Sequence, residues 1–155
     1  MVENGCEYEY KIPPKRGVIF VIFNEFGQIL FELRRQRKDP FKGFFLIPGG
    51  GIEPGENVES TTIREVREEC AIEVLKLQKI GGISTIEENG YINTRDLVVI
   101  ENYLGKVVNV ENKNIHLWAS PQKARLICKH PVTIEALDKL DGYLSTRQKS
   151  QEFSQ

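Results

Sequence analysis

The sequence predicts an α/β or α+β layered fold built around a mixed β-sheet. Strand-like segments come first, an amphipathic helix follows them, and further strands lead to a second helix. The strands are runs of β-branched and aromatic residues, whereas the helices carry apolar residues at helical spacing. A chain of 155 residues suits one hydrophobic core better than two. We therefore expect a single domain over residues 1–155, with its core at about 17–144 and polar segments at both ends.

A hairpin opens the predicted sheet. Residues 17–23 (GVIFVIF) form a continuous apolar run that is typical of a buried strand. The turn residues NEFG follow, and residues 28–34 (QILFELR) predict the second strand of the hairpin. A basic loop at 34–43 (RRQRKDPFKG) then leads to a short apolar strand at 44–47, which ends at Pro48.

The first helix is predicted at 57–71, because Ile63, Val66 and Cys70 fall on one helical face. The apolar runs after it predict strands, and the last amphipathic stretch predicts a helix. These later elements are strands at 74–85, 97–104 and 115–119, a polar turn at 87–93, and a helix at 132–144.

Composition and charge argue against membrane and nucleic-acid partners. The formal net charge is −1, so no global field attracts polyanions. No apolar run approaches the ~20 residues of a membrane span, and the first ten residues lack the apolar segment of a signal peptide. Cys6, Cys70 and Cys128 are widely spaced and form no C-x-x-C pair, which fits a reducing compartment. We expect a cytoplasmic protein, and a homodimer stays open.

Three glutamates occupy one face of the first predicted helix. Glu65, Glu68 and Glu69 lie at positions i, i+3 and i+4 of the helix that follows the glycine-rich stretch at 49–55. Each such like-charge pair destabilises a helix by ~0.2–0.5 kcal/mol. A solvated helix with ion pairs to neighbouring arginines would tolerate this pattern. Alternatively, the carboxylates hold a hard divalent cation, Mg²⁺ or Mn²⁺, which prefers oxygen ligands.

The spacing of residues around this face resembles the Nudix box, G-x5-E-x7-R-E-U-x-E-E-x-G-U, where U is a bulky aliphatic residue. Eight of its nine defined positions match, and the exception is Ala71 in place of glycine. The matching residues are Gly50, Glu56, Arg64, Glu65, Val66, Glu68, Glu69 and Ile72. With the order of strands around it, the resemblance to a Nudix hydrolase covers roughly residues 17–144.

The resemblance implies a Nudix-like α/β/α sandwich with a mixed β-sheet and a loop–helix–loop metal site. Glu68 and Glu69 would be the main ligands of Mg²⁺ or Mn²⁺, with Glu65 as a further ligand or a residue that orients water. The main-chain carbonyl of Gly49 would supply another oxygen. The implied reaction is hydrolysis of a nucleoside diphosphate linked to a group X. Such phosphoryl substitution depends mainly on charge neutralisation and alignment.

Two further positions of the box have implied structural roles. Arg64 and Glu56 would pair and brace the loop against the helix. Ala71 stands where a glycine would relax the end of the helix. An alanine there either adopts the left-handed conformation, at a cost of about 1 kcal/mol, or lets the helix continue slightly before it turns.

A basic cluster outside the box is a candidate for substrate binding. Arg34, Arg35 and Arg37 precede the glycines, and the arginine fork suits phosphate groups. A solvated surface loop is the alternative interpretation of this cluster.

The general base is predicted to come from a segment beyond the box. Glu111 is our choice, and Glu87, Glu88 and Glu101 are the alternatives.

The substrate is the least determined feature. The sequence is compatible with a nucleoside triphosphate or a nucleotide sugar, with release of a nucleoside monophosphate. Two other interpretations remain open, a Nudix-fold module that binds a nucleotide without hydrolysing it and a nucleotide-sugar hydrolase that attacks at carbon. The first would be expected to lose carboxylates of the box, and all of them are present.

Overall fold

The computed structural model describes residues 15–86, 90 and 92–152. Within these residues it contains seven strands and three helices. In chain order they are β1 (Arg16–Ile22), β2 (Ile29–Leu33), β3 (Phe45–Leu46), β4 (Gly49–Gly51), α1 (Val58–Cys70), β5 (Glu73–Ile86), β6 (Ile92–Leu104), β7 (Ile115–Ala119), α2 (Pro121–Ile127) and α3 (Pro131–Glu152).

The strands form two sheets. The larger has the order β4-β1-β6-β5, in which β1 and β6 are parallel and the other pairs are antiparallel. The smaller sheet, β3-β2-β7, is entirely antiparallel. The predicted mixed sheet is therefore present.

The central strand β1 buries side chains on both of its faces, because successive strand residues point in opposite directions. Val18, Phe20 and Ile22 pack in one core with Val66 and Cys70 of α1.

The opposite face of β1 faces the C-terminal helix. Ile19 and Val21 pack in a second core with Ala136, Leu137 and Leu140 of α3. Helices thus cover both faces of the β-layer, and the predicted α/β/α sandwich is confirmed. None of the helices in the described ranges combines the length and the apolarity needed to cross a membrane.

Local signals at both ends of α1 explain its position. Asn57 caps the N-terminus, where its side chain accepts a hydrogen bond from Ser60 N at 2.8 Å. The Ser60 hydroxyl accepts one from Asn57 N at 3.0 Å, which completes a reciprocal capping box. At the other end Ala71 adopts the left-handed conformation, with φ of 56° and ψ of 31°. The first of our two expectations for Ala71 is the one the structure adopts.

Four details depart most from the prediction. Gly49–Gly51 is a short strand rather than a loop, because it pairs with β1. Strand β6 begins at Ile92, within the predicted polar turn at 87–93, of which residues 87–89 and 91 lie outside the described residues. Helix α2 was not predicted, and it starts at Pro121 after the N-cap Ser120. Helix α3 extends to Glu152, past the predicted end at 144.

Candidate active site

The glycines of β4 allow a carboxylate to lie directly against the strand. A Cβ atom on Gly50 would lie 2.1 Å from Cδ of Glu65, and one on Gly49 would lie 2.1 Å from the carbonyl oxygen of Val18. Any side chain at either position would therefore displace the strand or the carboxylate. The structure explains why this stretch needs glycine before a helix that carries glutamates.

Glu69 is the most unusual side chain of this region. Its Oε2 atom is inaccessible to solvent and has no hydrogen-bond partner among the described residues. Burial, together with the nearby charges of Glu32, Glu65 and Glu111, raises the pKa of Glu69 to about 9. Four carboxyl groups from three segments, namely β2, α1 and the loop at 105–114, are therefore close enough to repel one another.

Glu32 belongs to this cluster, and the sequence analysis did not select it. It lies in β2 and is 7% exposed. Burial raises its pKa, while the charge of Arg34 and a hydrogen bond from the Arg34 guanidinium at 3.3 Å act in the opposite direction. A sequence signal was available, because Glu32 is an acidic residue within the apolar run ILFEL.

The loop at 105–114 brings Glu111 to the end of α1. Val108 N donates to the carbonyl oxygen of Cys70 at 2.9 Å, and Val110 N donates to that of Glu69 at 3.1 Å. These hydrogen bonds satisfy carbonyl groups that the helix end leaves without partners. The Glu111 side chain is 42% exposed and lies 3.5 Å from Lys113 Nζ.

Arg64 connects the start of the box to the helix. Its Nε and Nη2 atoms donate to the two carboxylate oxygens of Glu56, each at 2.8 Å, and Nη2 also donates to Gly51 O at 3.0 Å. The hydrogen bonds from Arg64 hold the pKa of Glu56 down at about 2. The expected pairing of Arg64 with Glu56 is thus present. Arg64 Nη1 also donates to Glu65 at 2.8 Å and to Glu68 at 3.3 Å.

These residues fit a hard divalent cation by their chemistry. The carboxyl groups near Glu69 supply oxygen donors, and its buried Oε2 has no hydrogen-bond partner among the described residues. In the described part of the chain, no three acidic, histidine or cysteine side chains have converged into a ready-made metal site. Arg64 accounts for this in part, since it occupies oxygens of Glu65 and Glu68. Glu68 is 51% exposed, so packing does not fix its side chain.

The three predicted arginines have different surroundings. Arg34 donates to Asp39 at 2.6 Å and to Glu32 at 3.3 Å, and it lines a cleft beside β4. Arg35 donates to the carbonyl oxygens of Asn112 and Lys113, at 2.7 and 3.1 Å, and so holds the loop that carries Glu111. Arg37 is exposed at the surface. The structure does not bring the three guanidinium groups together at one position.

The cleft beside β4 has a volume of about 280 Å³. The glycines of β4 and Arg34 line one part of it, and the loop between α2 and α3 lines another. Three cationic residues that the sequence analysis did not select, Lys15, Arg16 and Arg95, also line it. The described residues of its lining include no Asp or Glu, so the cleft and the carboxylate cluster have opposite charge.

The alternative candidates for the general base lie elsewhere. Glu101 is buried between Tyr143, Lys76 and Arg147, and hydrogen bonds from Tyr143 and Lys76 lower its pKa. Glu87 and Glu88 lie outside the described residues.

Comparisons with known proteins agree with this geometry. The model of the NUDIX domain matches residues 13–140. An ADP-ribose pyrophosphatase of Methanocaldococcus jannaschii is 39% identical over 51 residues, which are 33% of this chain and 30% of that protein. A nucleoside triphosphatase of Escherichia fergusonii is 33% identical over 66 residues, 43% of this chain and 46% of that protein. The alignments thus span less than half the length of these two relatives.

A solved structure shows the same fold. The solution structure of the Escherichia coli ORF135 protein superposes with a TM-score of 0.73 at 23% identity, covering 87% of this chain and 94% of that one. The family model matches most of the chain, and the resemblance found in the sequence is confirmed. The chain belongs to the NUDIX domain family.

Proposed function

We propose that this protein is a Mg²⁺- or Mn²⁺-dependent pyrophosphohydrolase. It cleaves the pyrophosphate of a nucleoside diphosphate linked to X, a nucleoside triphosphate or a nucleotide sugar, and releases a nucleoside monophosphate. The observation that carries the proposal is the Glu69 carboxyl, whose inaccessible Oε2 has no hydrogen-bond partner among the residues that the structure describes and which lies near three other carboxyl groups. A bound cation offsets the charge that this arrangement concentrates.

Each residue of the box has a separate task in this proposal. Glu68 and Glu69 are the main metal ligands, and Glu65 and the carbonyl oxygen of Gly49 complete the protein's oxygen donors. When bound, the ion neutralises charge on the pyrophosphate oxygens and lowers the pKa of the attacking water. Arg64, through Glu56 and Gly51 O, holds the loop against the helix so that these donors keep their positions.

Glu111 accepts the proton of the attacking water in this proposal. Its exposed carboxylate lies on the loop that is hydrogen-bonded to the end of α1, next to Glu69. Arg35 contributes indirectly, because its guanidinium fixes the backbone of that loop at Asn112 and Lys113.

The cleft receives the nucleoside, and cationic groups hold the phosphates. Arg34 uses Nε and Nη1 for Asp39 and Glu32, which leaves Nη2 to donate to a phosphate oxygen. Arg37 is assigned to the outer phosphate or the X group. The names of the two relatives, an ADP-ribose pyrophosphatase and a nucleoside triphosphatase, support both substrate classes. We place the protein in the cytoplasm as a single domain.

A nucleotide panel with Mg²⁺ or Mn²⁺, with the products separated and identified, tests this function. We expect a nucleoside monophosphate among the products and a loss of about 10²-fold or more in kcat for Glu69→Gln. Glu59→Gln is the matched control, since Glu59 is exposed in the first turn of the same helix. Wild-type turnover in Glu69→Gln, or products without a nucleoside monophosphate, would refute the proposal.

A further inference from the structure

His130 lines the cleft in a fixed orientation. Val132 N donates to its Nδ1 atom at 3.3 Å. Phe41 and Phe44 hold the ring edge-on, with centroid distances of 5.1 and 5.6 Å and interplanar angles of 86° and 83°. A neutral imidazole that accepts at Nδ1 carries its proton on Nε2. His130 therefore offers Nε2–H as a hydrogen-bond donor. Nε2 could become an acceptor only if the proton moved to Nδ1, which would break the hydrogen bond from Val132 N.

The surroundings of His130 favour the neutral imidazole. Burial lowers its pKa, and the positive charge of Arg95 lowers it further. The imidazole is therefore neutral around pH 7, with one N–H donor.

The other charged groups of the cleft are donors as well. Lys15, Arg16 and Arg95 form no ion pair with any carboxylate that the structure describes, and a guanidinium or ammonium group cannot accept a hydrogen bond. Because no Asp or Glu lines the described part of the cleft, an amino group on a ligand would meet no carboxylate there. A ligand that presents carbonyl oxygens would instead find several donors.

The size of the cleft suits one ring system with its sugar. Small-molecule pockets span ~300–1,000 Å³, and this cleft, at about 280 Å³, lies just below that range. Apolar side chains, Ile19, Ile47 and Val132 among them, provide apolar contact surface for a nucleobase.

We infer that His130 is a specificity-determining residue that selects nucleobases with a ring carbonyl, the 6-oxopurines and 4-oxopyrimidines, over their amino counterparts. The Nε2–H group donates to the carbonyl oxygen, and the same group faces a second donor when the base carries an amino group instead. This inference rests on the proposed function, in which the cleft beside β4 holds the nucleoside.

Inosine and adenosine monophosphates provide a close pair, because they carry the same ribose and phosphate and differ only in the 6-substituent of the purine and in the accompanying proton on N1. We expect calorimetry to show roughly tenfold tighter binding of inosine monophosphate to the wild-type protein. His130→Asn should abolish the preference. Its Oδ1 atom can still accept from Val132 N, as in an Asx turn, but the side chain lacks the Nε2 donor. Lys129→Asn, next to it and exposed, is the matched control and should keep the preference.

The binding readout separates this inference from the proposed hydrolysis. Equal binding of the two nucleotides by the wild-type protein, or tighter binding of adenosine monophosphate, overturns the inference. A preference that survives intact in His130→Asn overturns the role of His130. A preference that depends on His130 in a protein without hydrolytic activity supports the inference and refutes the proposed function.

Discussion

Ala71 ends helix α1 in a conformation that glycine adopts more readily. Its φ of 56° lies in the left-handed region, where a Cβ atom crowds the following carbonyl oxygen. Ala71→Gly should therefore raise the free energy of unfolding by about 1 kcal/mol, and urea denaturation measures the change. Ala71→Ser is the control, since it keeps the Cβ atom and should give no gain. A destabilised Ala71→Gly variant would contradict this account of the helix end.

Glu69 makes the stability of the metal-free protein depend on pH. Its folded-state pKa, about 9, lies above the ordinary value of 4.5 because the carboxyl is buried among other carboxyls. A group whose pKa is higher in the folded than in the unfolded protein contributes its full stabilisation of the fold at pH values below the unfolded pKa. That contribution is lost as the pH rises through the folded pKa. We therefore expect the stability conferred by protonated Glu69 to decline between about pH 4.5 and pH 9.

Thermal melts of Glu69→Gln in the presence of a chelator measure this contribution. Glutamine cannot ionise, so the Tm of the variant should rise relative to the wild-type Tm as the pH increases from 5 to 9. Glu59→Gln should follow the wild-type profile. Parallel profiles for Glu69→Gln and the wild type would show that Glu69 ionises normally.

Residue types and spacing predicted the glutamates of α1, but not the cluster they join. The box places Glu65, Glu68 and Glu69 on one helical face without any knowledge of the sheet. Glu32 joins them through the folding of the chain, and although an acidic residue within the apolar run ILFEL is a signal, it does not indicate which side chains Glu32 will meet. The cationic cleft residues are similarly brought together by strand pairing, since Arg16 and Arg95 come from neighbouring strands β1 and β6.

Arg64 holds the junction between β4 and α1 through hydrogen bonds to both sides of it. Arg64→Ala removes four hydrogen-bonded partners at once, namely Glu56, Gly51, Glu65 and Glu68. We expect the Tm to fall by several degrees. Arg64→Lys should restore only part of the loss, because lysine keeps the charge without the planar fork.

The pH dependence of the Tm loss in Arg64→Ala identifies the ion pair that causes it. The pKa of Glu56 is depressed to about 2, so its contribution is present above the ordinary value of 4.5 and is lost as the pH falls towards 2. The Tm difference between wild type and Arg64→Ala should therefore shrink over that range. Arg67→Ala, an exposed position in the same helix, should change the Tm little. A difference that does not vary with pH would exclude the Glu56 ion pair as its source.

Elements with strong local signals were predicted well, and those that depend on tertiary contacts were not. Strand β7 has its predicted bounds, and α1 is within one residue of them at each end, owing to Asn57 and Ser60. Strand β4 consists of three glycines with no strand propensity, and only its pairing with β1 makes it a strand. Helix α2 has seven residues, too few for a recognisable hydrophobic period.

Under the proposed function, metal chemistry and nucleotide recognition occupy different regions of the molecule. The carboxylate cluster forms around α1, the cleft extends to the loop before α3 on the other face of the sheet, and β4 borders both.

Variants in the two regions should therefore differ in kinetics. Arg95→Ala should raise KM about tenfold with little change in kcat, if Arg95 binds ground state and transition state alike. Lys123→Ala, exposed on α2, is the control. A fall in kcat at unchanged KM would contradict this division.

Hydrolysis in ¹⁸O-labelled water tests the central claim, that water attacks a phosphorus atom of the pyrophosphate at the carboxylate cluster. The wild-type protein with Mg²⁺ and its best substrate should release a nucleoside monophosphate, and mass spectrometry should find the label in a phosphate product. Glu69→Gln should show little labelled product in the same time. Label found only in a released sugar would show attack at carbon, and the pyrophosphohydrolase assignment would then be wrong.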